Sequence, residues 1–293
     1  LVSNPFYGVI TDPTSVLSGK TVPQWRLLVP YPQYSAVMLS PDTPGSSSSF
    51  NALIVKYQQR FKAGLSVLAT YQFSKAIDDV SETQVWEIKN YTRDINNLAA
   101  ERSVSGHDVP RDFRMTALWE LPVGRGKAYG TNMNKVADAI VGGWRVSTIV
   151  RLADGLPLMF SSTNSNGTYG YVVQRANITS LTDLGNVQGG QSPDMWFNKT
   201  AVSRPAAFTI GTAPRYTPNI RTGALDCTDL LLSKQWVAME RYRVQFRAEA
   251  YNFTNTPQYG RANTSAQSSA LGTITGTTNV GPRNIQMGLR VDF

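Results

Sequence analysis

The feature that most constrains this chain is a run of stretches in which apolar and polar residues alternate with a period of two, with almost no helical periodicity between them. Residues 50–61 set Leu53, Val55, Tyr57 and Phe61 against Lys56, Gln58 and Arg60. Residues 65–74 set Leu65, Val67, Ala69, Tyr71 and Phe73 against Ser66, Thr70, Gln72 and Ser74. Residues 112–121 oppose Phe113, Met115, Ala117, Trp119 and Leu121 to Arg114, Thr116 and Glu120. Residues 144–152 oppose Trp144, Val146, Val150 and Leu152 to Arg145, Ser147 and Arg151. In 242–250, Tyr242, Val244, Phe246, Ala248 and Ala250 face away from Arg243, Gln245, Arg247 and Glu249. In 284–293, Ile285, Met287, Leu289, Val291 and Phe293 face away from Gln286, Arg290 and Asp292. Residues 228–237 alternate more weakly, with Leu230, Leu232 and Trp236 opposite Asp229, Ser233 and Gln235, and a further strand is expected within 34–40, after Pro30 and Pro32. Successive side chains of an extended chain point to opposite faces, so each stretch is a strand with one dry face. A soluble β-sandwich alternates too, and strand length separates the two. A tilted membrane strand needs about 9–11 residues, whereas soluble strands average about 5–6.

The connections carry a second pattern. Turns at 62–64 and 238–241 are tight, while 77–111, 161–226 and 254–283 are long, polar and irregular by sequence. Outer-membrane barrels have short periplasmic turns and long extracellular loops. With Phe293 at the periplasmic end, parity puts both tight turns there and all three long segments outside. The stretch 122–143 is then a long periplasmic turn, in which Asn134 is placed to cap a short helix carrying Val136, Ile140 and Val141.

Composition narrows the class further. Hydrophobic residues make up 41% and charged residues 16%, below the usual quarter or so of a soluble domain. No stretch approaches the roughly 18 apolar residues of a transmembrane helix. The net charge of +8 fits nucleic acid, an anionic surface, or an interior lined with arginine. The alternation favours the last, because Lys56, Arg60, Arg114, Arg145, Arg151, Arg243, Arg247 and Arg290 all fall on the polar face. Such charges are prohibitively costly in a dry core and ordinary in a wet lumen. Aromatics at strand ends on the apolar face (Phe61, Tyr71, Phe73, Trp119, Trp144, Trp236 and Tyr242) suit the headgroup level. The chain opens without a basic, apolar leader, which for an exported protein implies a fragment.

No constellation for catalysis emerges, and no enzyme, cofactor or metal site is expected. His107 is the single histidine and Cys227 the single cysteine, so a zinc site or hydrolytic triad lacks partners. Gly124-Arg125-Gly126-Lys127 lacks the full phosphate-loop spacing and is taken as a turn. Asp78, Asp79 and Glu82 form an acidic group that could hold calcium weakly, without the spacing of an EF-hand. Asn90, Asn177 and Asn198 match the glycosylation pattern, which means little in a bacterial protein.

Seven segments in order carry a family resemblance: NPFYG at 4–8, LLVPYPQY at 27–34, NALIVKYQQRFKAGLSVLATYQFSKAIDD at 51–79, DVPRDFRMTALWELPVGRGK at 108–127, GGWRVSTIVRLADGLPL at 142–158, RYRVQFRAEAYNFTNTPQYG at 241–260 and NIQMGLRVDF at 284–293. The chain resembles the C-terminal part of the TonB-dependent receptor family, in its Oar-like branch. The resemblance implies an all-β antiparallel meander, part of a barrel of about 22 strands around a plug. It also implies import of a large solute driven by an inner-membrane TonB-type energy-coupling complex. The final strand, Ile285, Met287, Leu289, Val291 and Phe293, matches the terminal signal read by barrel-assembly machinery. All of 1–293 would be barrel, lying in outer-membrane lipid and completed by an upstream plug and the remaining strands, with no nucleic acid as partner. Three functions remain: a receptor and transporter, a structural or adhesion barrel displaying loops, and a soluble basic β-protein that binds glycans or polyanions. About eight strands, in an open curved sheet or a strained small barrel with edges at 34–40 and 284–293, are expected.

Overall fold

The computed structural model describes residues 1–28, 31–33, 47–62, 64–79, 97–163, 173–206, 209–238, 242–278 and 281–293. Its frame is seven long strands: β1 (Ser48–Lys62), β2 (Leu65–Asp78), β3 (Arg111–Glu120), β4 (Trp144–Ala153), β5 (Leu225–Ala238), β6 (Tyr242–Tyr251) and β7 (Asn284–Asp292). They form one antiparallel sheet in the order β7-β6-β5-β4-β3-β2-β1, and a two-residue strand, Ser103–Val104, pairs with the end of β2. Every long strand pairs with its neighbour in sequence, as a meander requires.

Register settles the faces, because directly opposed residues share one. Leu53 opposes Phe73, Val67 opposes Ala117, and Met115 opposes both Ala69 and Val150. Val146 opposes both Trp119 and Leu232, and Phe246 opposes Leu289. Leu232 opposes Ala248 and so carries the row into β6. One mainly apolar face therefore runs across all seven strands from Leu53 to Leu289, as the alternation predicts. Toward the ends of the sheet its side chains stand bare: Leu53 is 62%, Met287 74% and Leu289 68% exposed.

Three expectations change. The strand at 228–237 is among the longest, running from Leu225 to Ala238. Its alternation is blurred because Asp226, Thr228 and Lys234 lie on the apolar face, opposite Leu152, Val150 and Trp144. Strands β1 and β2 overrun their expected bounds, so the first long loop starts after Asp78 rather than at 77. Seven long strands stand where about eight were expected, β1 and β7 being the sheet's ends among the described residues; 34–40 lies outside them.

The largest correction concerns 161–226 and 254–283, expected to be irregular. Leu158, Phe160, Ala176, Leu184, Trp196, Phe197, Ala201, Val202, Ala213, Ile220 and Ala262 form a buried core there, joined by Tyr259, Leu271 and Ile274. Phe160 meets Phe197 edge to face at 4.7 Å, a pairing worth about 0.5–1.5 kcal/mol beyond burial. Short pairs bind this platform: Ser161–Thr163 with Val173–Arg175, Asn177–Ile178 with Val202–Ser203, and Pro157–Leu158 with Thr217–Arg221. The molecule thus keeps its dry core in the loops and leaves its sheet open on both faces.

Candidate functional site

All eight candidate cations of the polar face have the parity opposite to the apolar row, and register puts seven of them on the same side of the sheet, Arg60 lying in the register shift between Gln59 and Lys62. Carboxylates thread between them. Arg114 and Arg151 lie directly opposite each other, a repulsive pairing. Asp112 offsets it by pairing with Arg114 at 2.6 Å and with Arg151 at 3.3 Å. Arg145 meets its cross-strand partner Glu120 at 3.0 Å, with Lys127 at 3.8 Å. Arg247 meets Glu249 at 2.8 Å, and Glu249 also accepts from Tyr251 and Gln286. Arg290 meets Asp292 at 2.7 Å. Lys56, Arg60 and Arg243 have no acidic partner among the described residues.

At the loop end of the sheet a second set of charges is buried. Arg175 pairs with Glu101 at 2.8 Å, each side chain 4% exposed. Arg215 pairs with Asp78 and donates to the carbonyl oxygens of Asp78 and Glu101. Arg221 pairs with Asp108 at 2.6 Å and donates to the Asp108 carbonyl at 2.8 Å. Asp108 in turn accepts from the Ala76 amide of β2. Each pair joins the loop platform to β2 or to the 97–110 connection. These arginines were missed by sequence reasoning, because a charge in a non-periodic loop carries no sign of burial.

Two of the three acidic residues of the calcium reading are engaged within the protein. Asp78 is committed to Arg215, and Asp79 accepts from the Ser47 amide and hydroxyl. Glu82 and Asn90 lie outside the described residues. Asn198 and Asn177 act locally, Asn198 capping a turn and Asn177 accepting from the Thr212 amide. His107 is exposed in its loop. Positive φ values at Gly124 (130°) and Gly126 (71°) make 124–127 a turn. Cys227 is half-buried and lines a groove of about 540 Å³ with Asp229, Tyr251, Asn252 and residues 281–285.

At the opposite end, Asn134 caps the helix Lys135–Val141 by accepting from the Ala137 amide, as its sequence suggested. Three side chains from the apolar face reach the last carbonyls of that helix. Lys234 donates to Asp138 at 3.1 Å, Trp236 to Ala139 at 2.7 Å and Trp144 to Ile140 at 2.9 Å. Lys234 is 4% exposed, and its ammonium lies 5.5 Å and 5.3 Å from the rings of Trp144 and Trp236. Helix C-terminal carbonyls lack internal partners and carry partial negative charge, so a cation and two indole donors complete them. The side chain of Phe61 lies outside what is described.

Comparison with known proteins bears on this geometry. No curated protein matches the chain, and no solved structure does. The model of the outer membrane beta barrel domain matches residues 5–286. A sheet of long, two-faced antiparallel strands and a family match over nearly all of its length agree, and the chain belongs to the outer membrane beta barrel domain family of the bacterial outer membrane.

Proposed function

We propose that this chain is the C-terminal part of the barrel of a TonB-dependent, Oar-like receptor that imports a large solute. In this assignment the apolar face meets lipid and the face bearing Lys56, Arg60, Arg114, Arg145, Arg151, Arg243, Arg247 and Arg290 lines the lumen. An outer-membrane barrel presents apolar residues outward and polar ones inward, and its wide members hold a plug. The observation that carries the proposal is the loop platform: a buried core clamped by three ion pairs to β2 and the 97–110 connection, set at one end of an arginine-bearing face. A preorganised platform loses little entropy on capturing a solute, which favours a receptor. Membership of the outer-membrane family sets aside the soluble glycan- or polyanion-binding alternative.

The experiment is photo-crosslinking of the full-length protein to the inner-membrane energy-coupling protein in intact cells. A crosslink that rises when solute is present, and vanishes when the inner membrane is de-energised, is the expected result. If no crosslink forms at any scanned periplasmic position, the display or adhesion role takes its place.

A further inference from the structure

The helix Lys135–Val141 presents more than a capped turn requires. Val136 and Ile140 are one turn apart, with Ala137 and Val141 beside them, so one stripe of this helix is apolar. The stripe is bare: Val136 is 71%, Ile140 66% and Val141 48% exposed. Asp138 faces elsewhere, its carboxylate accepting from the Arg125 amide at 2.7 Å. The helix is fixed by Trp144, Lys234 and Trp236, all on the apolar face of the sheet and all near its turn end. It therefore sits on the outside of the sheet, continuous with the row that includes Val146, Phe246 and Leu289.

We infer that the 135–141 helix is a membrane-interface foot, lying in the headgroup layer of the leaflet at the turn end with Val136, Ile140 and Val141 in the acyl boundary. Three observations point to a phospholipid leaflet as the occupant. The apolar stripe continues an apolar sheet face that an outer-membrane barrel gives to lipid. Indoles with a polar edge mark the headgroup level, and Trp144 and Trp236 stand at the helix itself, 6.5 Å apart and edge to face. Lys135 and Arg125 are exposed cations on the same turn, a charge matched to anionic headgroups. Lys234 fits the same placement. A lysine on the lipid face is tolerated near the interface, and here the helix covers it, its ammonium taken up by a carbonyl and two rings. The helix is too short to hold this position alone, and its three caps supply what its length does not.

The inference rests on the apolar face meeting lipid and not on transport, and the test separates the two. Single cysteines replace Val136, Ile140, Val141, Lys135 and Met287 in a Cys227→Ser background of the full-length protein. Each is spin-labelled and reconstituted into phosphatidylethanolamine–phosphatidylglycerol vesicles. Collision with oxygen and with a water-soluble nickel complex then reports depth. Labels at 136, 140 and 141 should favour oxygen several-fold over the Lys135→Cys label, at a depth of about 5–10 Å below the headgroups. Met287→Cys reports the sheet face independently. If 136, 140 and 141 match Lys135→Cys while Met287→Cys is in lipid, the helix stands in water and the inference fails alone. If all three are shielded from both agents, protein covers the helix and the inference also fails. If Met287→Cys is itself in water, the lipid assignment of the face falls and the inference with it. Three separate positions, all exposed, keep the outcome readable if one variant misfolds.

Discussion

Replacing Arg215 by methionine removes the most buried cation of the loop clamp while keeping much of its volume. The Arg215 side chain is 2% exposed and that of Asp78 10%, so the change strands a carboxylate almost wholly out of water. It also strips donors from the carbonyl oxygens of Asp78 and Glu101. Breaking a buried pair by removing one partner costs about 3–5 kcal/mol, because the remaining charge is uncompensated. The slight opening at Asp78 argues for the lower half of that range. At about 1.4 kcal/mol per factor of ten, local opening should become roughly 10²- to 10³-fold more frequent. Hydrogen exchange read by mass spectrometry, on the protein in vesicles, resolves where. Peptides within 174–206 and 209–221 should exchange faster by that factor, while those of β3 and β6 stay unchanged. Pairing Arg215→Met with Asp78→Asn removes the stranded charge, so the double variant should exchange no faster than Arg215→Met alone. If the single variant leaves loop exchange within a factor of two of the parent, or if the two effects simply add, the clamp does not hold the platform and the reasoning fails.

Other outcomes follow from the same geometry. Leu289→Arg, in the row opposite Phe246, should cost about 2–4 kcal/mol if the residue lies near the lipid midplane; removal of Phe293 should also impair assembly, and heat-modifiability with outer-membrane fractionation reads both. Gly211→Ala would drive its Cβ to 2.0 Å from the Arg175 carbonyl oxygen, so it should destabilise the platform by at least the ~1–3 kcal/mol of an overpacked core. By contrast Gly126→Ala meets no atom within 4 Å and bears only its φ of 71°, about 1–2 kcal/mol; protease resistance of the loops should fall for the first variant and not the second. Arg145→Gln removes an ion pair whose arginine is 54% exposed, and it should shift thermal stability by less than about 1 kcal/mol, measured as the midpoint of the heat-modifiable transition.

The sheet was legible in the sequence because a period of two survives wherever one face is apolar, whatever the detailed packing. Phe113 to Trp119 and Tyr242 to Ala250 each show the alternation that register later fixes. Strand β5 was harder to see, since Lys234 interrupts its apolar row, and the helix that shelters Lys234 is contributed by residues almost a hundred positions earlier. The cap at Asn134 was visible because capping is local, four residues of sequence deciding it. The platform was not visible. Phe160, Leu184, Trp196, Phe197, Ile220 and Ala262 are spaced without period, and only tertiary contact makes them one core. Arg175, Arg215 and Arg221 were hidden for the same reason: their carboxylates stand at Glu101, Asp78 and Asp108, far away in the chain.

The two groups of charges divide the molecule's labour by burial. On the polar face, Arg114, Arg145, Arg151 and Arg247 are 49–63% exposed at the side chain, so their pairs contribute about 0–1 kcal/mol each. Such pairs can be exchanged for contacts to a passing solute or a facing plug with little loss of fold. At the loop end, Arg175 and Arg215 are nearly sealed from water, and breaking their pairs is several times more costly. In the proposed receptor, a lining that gives up its partners cheaply, below a platform that does not, would suit capture by fixed loops followed by passage along a remodelled wall. Stability placed the other way round, with rigid wall pairs and loosely held loops, would suit a barrel that only displays flexible surface segments.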